Sequence, residues 1–130
     1  MNILVTGGLG FVGSHLVDHL AANSKNSVTV IDNLCSESSS KNYMRKNVKY
    51  IIDDVRNLSS IRYAELDFDI IYHLAALARI QPSFEDPLYT CHNNSHGSAV
   101  VAEFARQSSC KVVYAGSSSF YGGVYLNPYA

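Results

Sequence analysis

The run "TGGLGFVG", Thr6 to Gly13, constrains the fold more than any other stretch of this chain. It follows the apolar segment Asn2–Thr6 directly. It leads into apolar residues at helical spacing, Phe11, Val12, Leu16, Val17 and Leu20, which predict a helix over 11–23. Gly7, Gly10 and Gly13 are three apart, and Gly8-x-Gly10-x-x-Gly13 also fits the dinucleotide-binding fingerprint. Glycine is needed at such a turn for three separate reasons. One residue lets the chain turn sharply off the strand, one lets backbone N–H groups approach a pyrophosphate, and one lets the helix pack close to the sheet. A helix that starts near Gly10 points its positive end at the phosphates.

Four more segments resemble the first: Ser27–Asp32, Val48–Asp53, Ile70–Ala75 and Lys111–Gly116. Each is rich in Val, Ile or Tyr and nearly continuous in apolar character, which suits strands buried on both faces of a parallel sheet. Between them, Leu88, Val100, Val101, Phe104 and Ala105 predict a helix over 88–108. A shorter helix near 58–64 is expected to bridge the third and fourth strands, and 33–47 reads as loop or short helix. Strand and helix in alternation imply an α/β, doubly wound parallel sheet.

The second strand ends in Asp32, 19 positions after Gly13. A carboxylate there accepts hydrogen bonds from the adenosine ribose hydroxyls and repels a 2′-phosphate, which favours NAD over NADP. The same residue also suits an ordinary strand-end turn.

Composition narrows the class. The 130 residues are enough for one domain, and 47% hydrophobic with 16% charged residues is a globular balance. A net charge of −1 supplies no broad field for nucleic acid or an anionic membrane surface. No apolar run approaches the length of a membrane span. The N-terminus has no basic n-region, and no secretion signal is expected. Cys35, Cys91 and Cys110 are odd in number and widely spaced, forming neither a disulfide framework nor a zinc pattern. A reducing compartment, the cytoplasm, is expected.

With these motifs in order, the chain resembles the extended short-chain dehydrogenase/reductases. It is most similar to the NAD-dependent nucleotide-sugar epimerase/dehydratase group, and within it to the UDP-glucose (galactose) 4-epimerases. "TGGLGFVG" matches the cofactor loop, "DNLC" the ribose-binding turn, "DDVRN" the acid–apolar pair that reads adenine, and "HLAA" the fourth-strand end beside the cofactor. "NNSHGS" matches a helix segment whose Asn steadies the active site, and "AGSSSFYGG" the fifth-strand end that carries a catalytic hydroxyl. The resemblance implies a Rossmann-like sheet with five strands present, the C-terminal strands and substrate domain lying beyond residue 130. Residues 1–130 are then an NAD-binding domain, the front of a longer enzyme.

Carried over residue by residue, the resemblance implies cofactor contacts from Gly7, Gly10, Phe11, Val12, Gly13, Asp32, Asn33, Asp54, Val55, Leu74, Ala75, Ala76 and Asn94. It implies Ser117 and Tyr129 as catalytic residues, Ser118 and Ser119 as substrate-binding, and no metal. Tyr121-Gly122 sets the spacing to Ser117. Ser118-Ser119 stands where 4,6-dehydratases carry Asp-Glu, which argues against that branch. "PYA" opens the Tyr-x-x-x-Lys motif, whose lysine falls three residues past Ala130; Tyr129 also suits an ordinary Pro-Tyr turn. In the family mechanism the tyrosine, as phenolate, removes the 4-hydroxyl proton while NAD takes the C4 hydride, which then returns to the other face. Without the lysine the isolated chain is expected to be inactive, and Lys111–Gly116 would form an open sheet edge.

His73 reads more readily as a hydrogen-bonded structural histidine than as a base. Arg79 touches phosphate or only solvent; both readings stand at this level. The implied partners are a nucleotide-sugar such as a UDP-hexose and, for the full-length protein, a second copy in a homodimer. A related reductase or dehydratase shares this first half, and a non-catalytic NAD-binding module is the reading from a different class.

Overall fold

The computed structural model describes residues 1–59 and 66–117. Five strands form one parallel sheet in the order β3-β2-β1-β4-β5: β1 Asn2–Thr6, β2 Ser27–Asp32, β3 Lys49–Ile52, β4 Ile70–His73 and β5 Lys111–Tyr114. The chain starts in the middle of the sheet. It builds outward through β2 and β3, then crosses back to place β4 on the other side of β1. That reversal opens a crevice at the carboxyl ends of β1 and β4, where open α/β sheets bind ligands. The register sets Thr6 beside both Ile31 and His73.

The continuous apolar runs follow from covering both faces. Ile3, Val5, Val28 and Val30 pack on one side with Val17 of helix α1 (Phe11–Ala21). Leu4, Ile31 and Ile71 face the other side, against Val100, Val101 and Phe104 of the long helix before β5. Alternation of period two is present on each strand, but both faces are apolar and so it is hidden in the sequence. Each such side chain, fully buried, contributes about 1.5–3 kcal/mol.

Three strands are shorter than the sequence reading. β3 lacks Val48 and Asp53, β4 stops before Leu74, and β5 stops before Ala115. The expected helix over 88–108 occupies Pro87–Ser108 but is divided: α3 Pro87–Cys91, a π-wound turn His92–His96, and α4 Gly97–Ser108. Ser109 ends it at φ 53°, in the left-handed region. A further helix, α2 (Ile80–Glu85), was not expected. Segment 33–47 is loop with one 3-10 turn, Lys41–Tyr43. After β3 a 3-10 turn covers Val55–Asn57; most of the helix expected near 58–64 lies outside the described residues. β5 pairs only with β4 among the described residues, and its Val113 and Tyr114 are exposed.

Candidate functional site: a dinucleotide cleft

The glycines divide their work by geometry. Gly7 has φ +70°, and its amide donates to Ile31 O at 2.8 Å, turning the chain off β1. A Cβ at Gly7 would lie 2.8 Å from the Ala75 amide nitrogen, so only glycine lets this turn approach the extension of β4. A Cβ at Gly13 would lie 2.2 Å from Gly7 O, and one at Gly8 2.7 Å from Val30 Cγ1. These two hold α1 against the loop and the sheet. At Gly10 the nearest atom would be 3.4 Å away, an ordinary contact. Gly10 caps α1 without a side chain, so the first-turn amides of Phe11, Val12 and Gly13 end at the cavity wall with no side-chain cap over them.

Asp32 joins this loop to the end of β2. Buried at 5% exposure, it accepts from Leu9 N at 2.9 Å through Oδ2 and from Leu34 N at 2.8 Å through Oδ1. Asn33 turns beside it, with Oδ1 accepting from Cys35 N and Nδ2 donating to Asp54 Oδ2 at 2.8 Å.

Asp54, expected to read adenine, is heavily engaged within the chain. Arg56 donates Nε to Oδ1 and Nη2 to Oδ2, both at 2.7 Å, and its backbone amide also donates to Oδ1. Hydrogen bonds from the Arg56 side chain are the first cause that lowers the Asp54 carboxyl to about 2, with Asn33 adding to them against a burial cost. Arg56 also donates Nη1 to His92 Nδ1 at 2.7 Å and lies over the Tyr89 ring. The cavity is lined at this end by Val55 and Asn33, not by Asp54.

The other wall is the end of β4. Leu74, Ala75 and Ala76 line the cavity, continued by Leu77 and Ala78. Asn94 holds this segment in place: Oδ1 accepts from Leu77 N at 2.8 Å, and Nδ2 donates to Leu77 O at 3.0 Å. Asn94 ties the wall without lining the cavity, while its neighbour Asn93, 5% exposed, lines it. The π-wound turn carries both residues.

His73 sits behind the wall in a one-directional chain. Ala75 N donates to Thr6 Oγ1 at 3.3 Å, and Ser98 Oγ donates to Asn94 O at 2.6 Å. His73 bridges them, Nδ1 lying 2.8 Å from Thr6 Oγ1 and Nε2 3.0 Å from Ser98 Oγ. The bonds run one way when Thr6 donates to Nδ1 and Nε2–H donates to Ser98, the neutral tautomer. Burial lowers the His73 pKa in the same sense. The structural reading of this histidine fits.

Together these elements enclose a cavity of about 580 Å³, within the usual range for small-molecule sites. Eleven of the expected cofactor residues line it: Gly7, Gly10, Phe11, Val12, Gly13, Asp32, Asn33, Val55, Leu74, Ala75 and Ala76. Sequence reasoning missed the loop Ser36–Ser39 and the stretch Pro82–Thr90. The Asp86-Pro87 pair was a readable signal for the latter, an N-cap that accepts from Tyr89 N at 2.9 Å followed by proline at the first helical position. Ser117 is exposed and lies three residues past β5, beyond the His73–Tyr114 pair at the same sheet edge. Ser118, Ser119 and Tyr129 lie outside the described residues. Among the described residues no group of three or more His, Cys, Asp or Glu is placed to hold a metal ion.

The glycine cradle, the end of α1 and the buried acid beside it fit a dinucleotide. A UDP-glucose 4-epimerase of Neisseria gonorrhoeae is 31% identical over 137 residues, covering 99% of this chain and 40% of that protein. A UDP-N-acetylglucosamine 4-epimerase from Methanobrevibacter ruminantium, solved with UDP-N-acetylmuramic acid, superposes with a TM-score of 0.85 at 34% identity. That alignment covers 99% of this chain and 42% of the other. The UDP-glucose 4-epimerase of Thermus thermophilus, solved with NAD, gives 0.80 at 34% identity, covering 90% of this chain and 38% of the other. The chain spans about 40% of the length of the curated relatives it matches. The profile of the NAD dependent epimerase/dehydratase family matches residues 3–128, and the chain belongs to that family.

Proposed function

We propose that this chain forms the NAD-binding part of a nucleotide-sugar 4-epimerase acting on a UDP-hexose. The observation that carries the reading is the glycine cradle. Gly7 and Gly13 leave no room for a Cβ, and the uncapped start of α1 borders a cavity flanked by Asp32. Backbone amides there would hold the diphosphate, and Asp32 and Asn33 would take the adenosine ribose. Val55 would border the adenine, and Leu74 to Ala76 would back the nicotinamide. When bound, NAD supplies a hydride acceptor and donor. Ser117, at the carboxyl edge of the sheet beyond β4 and β5, would hydrogen-bond the sugar hydroxyl that exchanges a proton with Tyr129. Ser118 and Ser119 would touch the sugar. Asn94 would act by fixing Leu77. The full-length protein would be a cytoplasmic homodimer paired through helices such as Pro87–Ser108.

The test has two arms. NADH titrated into the chain is expected to bind, with enhanced fluorescence, and NADPH to bind far more weakly. Failure of both to bind overturns the cofactor reading. The full-length protein given UDP-galactose is expected to form UDP-glucose, and Ser117→Ala to lower kcat about 10²-fold. NAD binding without turnover of any UDP-hexose would leave a non-catalytic NAD-binding module.

A further inference from the structure

Glu37 and Arg79 stand on opposite sides of the cleft. Glu37 lies in the loop that follows β2, and Arg79 caps α2 after β4; β1 and its glycine turn run between them. Both residues line the cavity, and Arg79 Nη1 meets Glu37 Oε2 at 3.0 Å. Their exposures, 72% for Arg79 and 82% for Glu37, put the contact at the open mouth and not in the floor. Among the described residues no other hydrogen bond or ion pair joins the Asn33–Ser39 loop to the Leu74–Tyr89 segment.

The charged residues that line the cavity are unbalanced. Asp32, Glu37, Glu85 and Asp86 all line the cavity, and Arg79 is the one lysine or arginine among the described residues that does so. A ligand carrying a diphosphate would enter a cavity lined by four acidic residues, Asp32 buried among them, and one basic residue. An exposed ion pair contributes little to folding, so this one forms and opens readily. It fits a latch between two walls better than a structural brace.

We propose that the Glu37–Arg79 pair is a clasp that closes over the bound dinucleotide and slows its release. The idea rests on the NAD reading above. With the pair closed, the two walls are tied across the ligand, and the ion pair itself adds no net charge at the mouth. Opening requires only that one exposed ion pair separate.

Release of bound NADH, chased with excess NAD and followed by fluorescence, tests it. At low salt, Glu37→Gln and Arg79→Gln are each expected to raise the release rate about 2- to 5-fold, the range exposed ion pairs span. The double variant should release no faster than the faster single one. The reversed pair, Glu37→Arg with Arg79→Glu, should return to within about 2-fold of the original rate. At about 1 M salt, where screening acts within a few ångströms, the difference between the original chain and the double variant should vanish. Faster release from Arg79→Gln alone, with Glu37→Gln unchanged, would overturn the clasp in favour of a direct arginine–diphosphate contact. Additive effects, or none, would also overturn it. If the unaltered chain binds no NADH, the cofactor reading fails first and the clasp falls with it.

Discussion

Asp32 Oδ2 accepts the backbone hydrogen of Leu9 at 2.9 Å, and through that bond the end of β2 holds the glycine turn of β1. The other oxygen accepts from Leu34, whose φ of 59° is one that a leucine adopts at a cost of about 1–2 kcal/mol. One carboxylate therefore shapes two walls of the cleft before any ligand arrives. Asp32→Asn would place an amide N–H against a backbone N–H in a buried site. It should lower stability by about 1–3 kcal/mol, read as a lower urea midpoint with an unchanged slope. NADH affinity should fall at least about tenfold, one hydrogen-bonded charge's worth. Lost binding at full stability would restrict Asp32 to the ligand alone.

The glycines give a prediction that separates residues within one motif. Gly13→Ala puts a Cβ 2.2 Å from Gly7 O, a backbone atom in a turn that cannot yield cheaply. Gly10→Ala meets nothing closer than 3.4 Å, at φ −78°, which alanine adopts freely. Gly13→Ala should be destabilised by about 2 kcal/mol or more, the scale of forced overpacking. Gly10→Ala should keep its stability within about 0.5 kcal/mol. Thermal unfolding of the two variants side by side checks this; equal losses would mean that the close approach at Gly13 does not set the fold.

The legible parts of this molecule are those where one physical demand dominates. A strand covered on both faces must be apolar throughout, so Ile3, Leu4 and Val5 or Val28, Val30 and Ile31 announce themselves. A helix that approaches a turn at backbone distance must begin with glycine, so the Gly7–Gly13 loop does too. The π-wound turn was not legible, because it accompanies the Asn94–Leu77 bonds, a tertiary contact between residues 17 apart. Helix α2 was hidden for a different reason. Its apolar residues Ile80 and Phe84 are exposed at 73% and 77%, and Pro82 sits inside it, so neither burial nor propensity marks it. Asp54 has partners within the chain that the resemblance does not show. Its oxygens are engaged by Arg56, two residues on, and by Asn33, a pairing that spacing does not reveal.

That pairing makes the chain sensitive to acid in a defined window. The folded-state Asp54 carboxyl lies at about 2, below its ordinary value, because Arg56 and Asn33 stabilise the charged form. A lowered carboxyl means that the unfolded chain binds the proton first as pH falls. Its stabilisation is therefore complete above about pH 5 and drains away between about pH 5 and pH 2. With the side chain 16% exposed, the contribution is about 1–2 kcal/mol after screening. Glu103, paired with Arg106 on the surface, titrates in the same range, so a single acid titration does not isolate Asp54. The difference between the original chain and Asp54→Asn does, since Glu103 is common to both. Urea unfolding of the pair should show a gap of about 1–2 kcal/mol at pH 7 that closes toward zero near pH 2. A gap that stays constant across this range would mean that Asp54 stabilises the turn by its shape and neutral hydrogen bonds, with Arg56 adding nothing through charge.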